Sequence, residues 1–139
     1  MHRRLVTLLS TLAVAGLVLI ACDDDEPSAE EAHDAYCGAL ERLGLTLGSW
    51  QDIDATSTVD SVQSLRDETR DGVDEVVEAA EDVAEAEVNE LEAAYDDLQQ
   101  AVEDIEGEDT LAEAFQGVRP AAEAVDAQWE QLSSAQDCP

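Results

Sequence analysis

The chain has 139 residues, 35 of them Asp or Glu and 6 Lys or Arg, for a formal net charge of −29 at pH 7. All 35 acids follow position 22, where only Arg42, Arg66, Arg70 and Arg119 oppose them; such a surface repels phosphate backbones, which argues against nucleic acid as a partner, and it repels anionic lipid headgroups. The length holds one small domain plus a tether rather than several domains.

Residues 1–21 read as an export signal. Arg3 and Arg4 give a positive start, and Leu5 to Ile20 is apolar except for Thr7, Ser10, Thr11 and Gly16. This run is slightly short for a membrane-spanning helix, which needs about 20 apolar residues. Cleavage before Cys22 therefore fits better than an uncleaved anchor. The arginine pair leaves a twin-arginine route open beside general secretion. Leu19-Ile20-Ala21-Cys22 is a lipobox. It predicts diacylglycerol on the Cys22 sulfur, Cys22 as first residue of the mature chain, and attachment to the outer face of the cytoplasmic membrane. The next residues, Asp23-Asp24-Asp25-Glu26-Pro27, are too charged to fold alone, so 22–27 is an extended, hydrated tether. In a two-membrane bacterium Asp23 would resemble an inner-membrane retention signal.

A helical domain is expected over 28–139. Ser28 and Glu31 have capping-box spacing. Ala32, Tyr36, Leu40, Leu43 and Leu47 then recur every three or four residues, and Gly44 and Gly48 weaken the end, which is placed near Gly48. Trp50 to Thr56 reads as a polar connection. Ser57 and Asp60 have the spacing for a second capping box. After it come Val62, Leu65, Thr69, Val73, Val76, Ala80, Ala84, Val88, Leu91, Tyr95, Leu98, Val102 and Ile105, at the α-helical period, with only Gly72 interrupting and Gly107 as the stop. Thr110 and Glu113 open a last helix. Its stripe of Leu111, Phe115, Val118, Ala122, Val125, Trp129 and Leu132 continues in phase across Pro120, which predicts a kinked helix rather than two. No segment has the strand period.

The fold class is all-α. A central helix from Ser57 to Glu106 would be about 75 Å long, with the outer helices antiparallel along its two halves. The alternative is a turn near 84–89 and a four-helix bundle. Missing turn chemistry between Val73 and Ile105 favours the three-helix form; burial of apolar surface favours four. Lipid claims one of the three cysteines. Cys37 and Cys138 remain, and outside the cytoplasm two such thiols are expected to pair. Closing a loop of about 100 residues is worth up to about 5 kcal/mol in the chain-entropy model.

The layout resembles a group of small lipoproteins and secreted proteins of GC-rich Gram-positive bacteria. The matching features are Cys37, the leucines Leu40 and Leu43, the run Leu91-Glu92-Ala93-Ala94-Tyr95-Asp96-Asp97-Leu98 with Ala101-Val102 after it, and Cys138, over about residues 37–138. The resemblance implies an all-helical, envelope-located protein. It transfers no active residues.

Candidate chemistry is sparse. Glu30, His33, Asp34 and Cys37 lie at helical spacings and have the residue types of a partial metal site, but a cysteine committed to a disulfide is no thiolate ligand, so no metal is expected there. Asp52-Ile53-Asp54 begins like a calcium loop, yet Ser57 stands where the loop needs glycine and Gln63 where it needs the closing carboxylate. No nucleophile–histidine–acid set, phosphate loop or HExxH occurs after Cys22. No catalysis and no cofactor are therefore expected. Trp129 falls on the apolar stripe. Trp50 falls in a connection and reads either as a cap on the open end of the bundle or as a partner contact. The expectation is a lipid-anchored, non-catalytic module that meets an unidentified envelope protein; the alternative is an acidic surface that binds or buffers divalent cations.

Overall fold

A computed structural model describes residues 27–81, 85–105 and 111–139. The expected export signal, the expected acylation site at Cys22, all but the last residue of the expected tether, Ala84, Gly107 and Thr110 lie outside the described residues. Within them the protein is all-helical, with α1 Ala29–Gly48, a 3-10 turn Ser49–Asp52, α2 Val59–Ala80, α3 Glu85–Glu103 and α4 Leu111–Ala135. No described helix is long and apolar enough to cross a membrane.

The four-helix arrangement is the one adopted. The expected single central helix is corrected to two, separated between Ala80 and Glu85. In one continuous helix Arg66 and Tyr95 would stand about 44 Å apart. Instead the Tyr95 hydroxyl donates to the Arg66 carbonyl at 3.3 Å, so α3 runs back along α2. The reason is burial. Val62, Val73, Val76 and Ala80 of α2 and Val88, Leu91, Leu98 and Val102 of α3 are all at most 3% exposed, which a straight rod covered by one helix at a time would not achieve. Each helix packs against its sequence neighbour and α4 closes against α1, giving a ring of antiparallel contacts.

Local chemistry sets the helix ends. Ser28 is extended and makes the expected reciprocal capping box with Glu31. The second cap is one residue later than the sequence spacing suggested. Thr58 caps α2 and pairs reciprocally with Ser61. The Ser57 hydroxyl is turned back to accept the Asp54 N–H at 3.0 Å. Helix α4 runs unbroken through Pro120, which lies on the exposed side. Its end is a Schellman motif. Asp137 takes a left-handed conformation (φ 52°), and the Cys138 N–H reaches back to the Ser133 carbonyl at 3.2 Å. That turn aims Cys138 at α1, where it forms the disulfide with Cys37, Cα to Cα 5.4 Å.

Two glycines that read as weak points in the helices are contact points. A β-carbon on Gly44 would stand 2.5 Å from Cζ2 of Trp129, and one on Gly72 would stand 3.0 Å from Cδ1 of Leu43. Gly44 lets the Trp129 indole lie on α1, where its N–H donates to the Leu40 carbonyl at 2.6 Å. Gly72 lets α1 and α2 approach closely.

Candidate functional site

The bundle has two unlike ends. At one, the start of α1 and the end of α4 are joined by the disulfide. At the other, the end of α1, the 3-10 turn and the first turns of α4 leave a cleft of about 240 Å³. Leu47, Trp50 and Ile53 form one wall and Phe115 and Arg119 the other, with Glu123 and Asp126 farther along α4. A second hollow of about 330 Å³ shares Ile53, Phe115 and Arg119.

Trp50 is held in the wall by its polar edge. Its indole N–H donates to the Thr69 hydroxyl at 2.9 Å, and that hydroxyl donates to the Leu65 carbonyl at 2.7 Å. Thr69 is fully buried, and this relay explains a polar residue within an apolar stripe. With its N–H committed inward, the ring offers only its apolar surface to the cleft. Trp50 thus caps the open end of the bundle and lines the cleft at once. Trp129 packs as its place on the stripe suggested.

The loop after the 3-10 turn is closed by its own hydrogen bonds. Asp54 Oδ1 accepts from the Thr56 hydroxyl at 2.6 Å and the Thr56 N–H at 2.7 Å, and these bonds hold its carboxyl below the usual range. The carboxylate therefore braces the loop that borders the second hollow. The four arginines of the domain are unequally partnered. Arg42 pairs with Glu75 at 2.8 Å, Arg66 with Asp67 at 2.6 Å and Arg70 with Asp74 at 3.8 Å. Arg119 has no ion pair among the described residues, although it belongs to a strongly acidic chain.

The cleft can take an apolar group beside one exposed cation, Arg119, which shares the lining with the carboxylates of Glu123 and Asp126. Its volume is below the roughly 300–1,000 Å³ typical of small-molecule pockets. It suits one or two side chains of a protein better than a whole ligand. Phe115 and Arg119, one turn apart on α4, were not legible as site residues. Phe115 continued a core stripe, and the charge of Arg119 carried no sign of its lack of a partner.

At the disulfide end, His33 lies one turn before Cys37. Its Nε2 is 2.9 Å from the Gln136 carbonyl and 3.8 Å from Cys37 Sγ. His33, Cys37 and Cys138 come together; Glu30 and Asp34, grouped with His33 by spacing, are not part of this cluster. No family model, curated protein or solved structure matches the chain.

Proposed function

We infer that the chain is a lipoprotein of the cell envelope, held through diacylglycerol on Cys22 at the outer face of the cytoplasmic membrane, and that its domain is a non-catalytic interaction module. The cleft at Trp50, Phe115 and Arg119 supports the second half of this reading and carries it. It receives an apolar side chain of a protein partner, with Arg119 meeting a carboxylate on the same partner. Its position suits that role. Helix α1 starts at the disulfide end and, about 30 Å long, leads to the cleft at the opposite end.

The test is photo-crosslinking in intact cells, with a photoreactive residue at Gln51 on the cleft rim and, as control, at Glu92 on the exposed face of α3. A single envelope protein captured from Gln51 and not from Glu92, and lost on Arg119→Glu, supports the assignment. Equal capture from both positions, or none from Gln51, refutes it. The anchor is tested separately: Cys22→Ser should abolish incorporation of labelled fatty acid and release the domain from membranes.

The acidic surface supports a second reading, the binding or buffering of divalent cations. Titration with Ca²⁺ and Mg²⁺ separates the two. Saturable micromolar binding at few sites favours cation capture, whereas weak uptake that tracks ionic strength does not.

A further inference from the structure

We propose that reduction of the Cys37–Cys138 disulfide creates a soft-metal site in which His33, Cys37 and Cys138 hold Zn²⁺. His33 and Cys37 lie one turn apart at the start of α1, and the Schellman turn after α4 brings Cys138 to them. One ligand atom from each of the three lies within 4.8 Å of the others, and all three residues are half-buried. Zinc with Zn–S of about 2.3 Å and Zn–N of about 2.0 Å sets ligand-to-ligand edges of about 3.5–3.8 Å in a tetrahedron. The two ring nitrogens of His33 already stand 3.8 and 4.0 Å from Cys37 Sγ. The sulfur-to-sulfur edge has to open and the edges from His33 to the two sulfurs, 4.0 Å from Nδ1 to Cys37 and within 4.8 Å to Cys138, have to close, and cleavage of the bond allows this by rotation of side chains.

A carbonyl oxygen only accepts, so the 2.9 Å contact with Gln136 requires Nε2 to carry the proton. In the neutral ring Nδ1 then has the free lone pair, 4.0 Å from Cys37 Sγ. Zinc-binding histidines are typically fixed in this way, one nitrogen donating to a carbonyl while the other binds metal. In the oxidised protein this orientation serves no ligand. With both sulfurs released it completes a His-Cys-Cys set, and the negative surroundings favour a dication.

The chemistry balances with a dithiol as reductant. The dithiol supplies two electrons and two protons, the S–S bond breaks, Cys37 and Cys138 become thiols, and the dithiol closes to its own disulfide. Zn²⁺ then displaces both thiol protons to solvent, forms two Zn–S bonds and one Zn–N bond to His33 Nδ1, and keeps water in the fourth position.

Co²⁺ is the probe, because thiolate ligation gives it a charge-transfer absorption and tetrahedral geometry gives it intense visible bands. The full chain carrying Cys22→Ser, so that two cysteines remain, is reduced with a phosphine that does not compete for metal. The expected result is one Co²⁺ per chain with both signatures, displaced by Zn²⁺ and absent from the oxidised chain. His33→Ala should lower affinity tenfold or more with the far-ultraviolet circular dichroism of the oxidised protein unchanged. The proposal is overturned if the reduced chain shows no thiolate charge transfer, whether or not it stays folded, or shows only the faint bands of carboxylate-bound octahedral Co²⁺. It is equally overturned if His33→Ala binds as tightly as its parent, or if the Cys37→Ser, Cys138→Ser chain keeps the signatures.

Discussion

Tyr36 is fully buried beside Cys37, and its hydroxyl has no hydrogen-bond partner among the described residues. Burial, with a smaller push from the Glu87 carboxylate, raises its pKa above the usual tyrosine range. An unpaired buried hydroxyl costs about 1–3 kcal/mol. Tyr36→Phe is therefore expected to stabilise the domain by about 1 kcal/mol in urea denaturation. The pH dependence has a definite sign. The folded phenol keeps its proton where the unfolded one has lost it, so this group leaves stability independent of pH below about pH 10 and lowers it as pH rises from there through the raised folded pKa. Tyr36→Phe should make the alkaline fall in melting temperature shallower; an unchanged profile would show that the hydroxyl is solvated. Gly44 and Gly48 make an opposed pair. Alanine at Gly44 would press on the Trp129 ring, already tied to Leu40, and should destabilise by about 1–3 kcal/mol despite its better helix propensity. Alanine at Gly48 meets nothing within 4 Å and should stabilise by up to about 1 kcal/mol. Thermal melts of the two variants should therefore move in opposite directions.

Among the elements, the start of α2 shows how neighbouring hydroxyls divide their roles. Ser57 and Thr58 are adjacent, and the spacing from Ser57 to Asp60 is as good for a capping box as that from Thr58 to Ser61. The loop decides between them, because Asp54 engages Ser57 and leaves Thr58 to close the helix. Thr58→Ala should cost about 1 kcal/mol and Ser57→Ala less, measured by chemical denaturation. The opposite order would place the cap where spacing alone put it. The separation of α2 from α3 has the same character. Buried positions run 73, 76, 80 and then 88, 91, 95, so the helical phase is kept across the reversal and no glycine or proline marks it. A periodic stripe records which face is buried. It does not record whether that face is covered by one partner along a rod or by folding back on itself.

For the whole molecule, two forces are set against the helical core. The first is self-repulsion of a chain with formal charge −29 and few ion pairs among the described residues. Moderate salt screens it, so the melting temperature should rise between low and roughly physiological ionic strength; a flat response would mean that the acids are spaced widely enough not to interact. The second is chain entropy, which the Cys37–Cys138 bridge limits across a sequence separation of 101 residues. Reduction is expected to cost up to about 5 kcal/mol, a large share of the 5–15 kcal/mol typical of a domain. It should lower the melting point markedly in a metal-free scan. Added Zn²⁺ should recover part of that loss if the His33 site forms.

The amino-acid order by itself determined the all-helical class, the buried face of each described helix, the cap at Ser28 and the pairing of Cys37 with Cys138. These depend on period, on residues a few positions apart and on a cysteine count, all of which are written along the chain. Tertiary structure alone decided that the central segment folds back, that Thr58 rather than Ser57 caps α2, and that Gly44 and Gly72 are close-packing positions. It also decided that Trp50, Phe115 and Arg119 share one cleft, and that His33 is oriented by Gln136. The reason is common to all of these. Each depends on which distant surfaces meet, and the free energy that selects among meetings comes from burial summed over the whole bundle rather than from any local stretch.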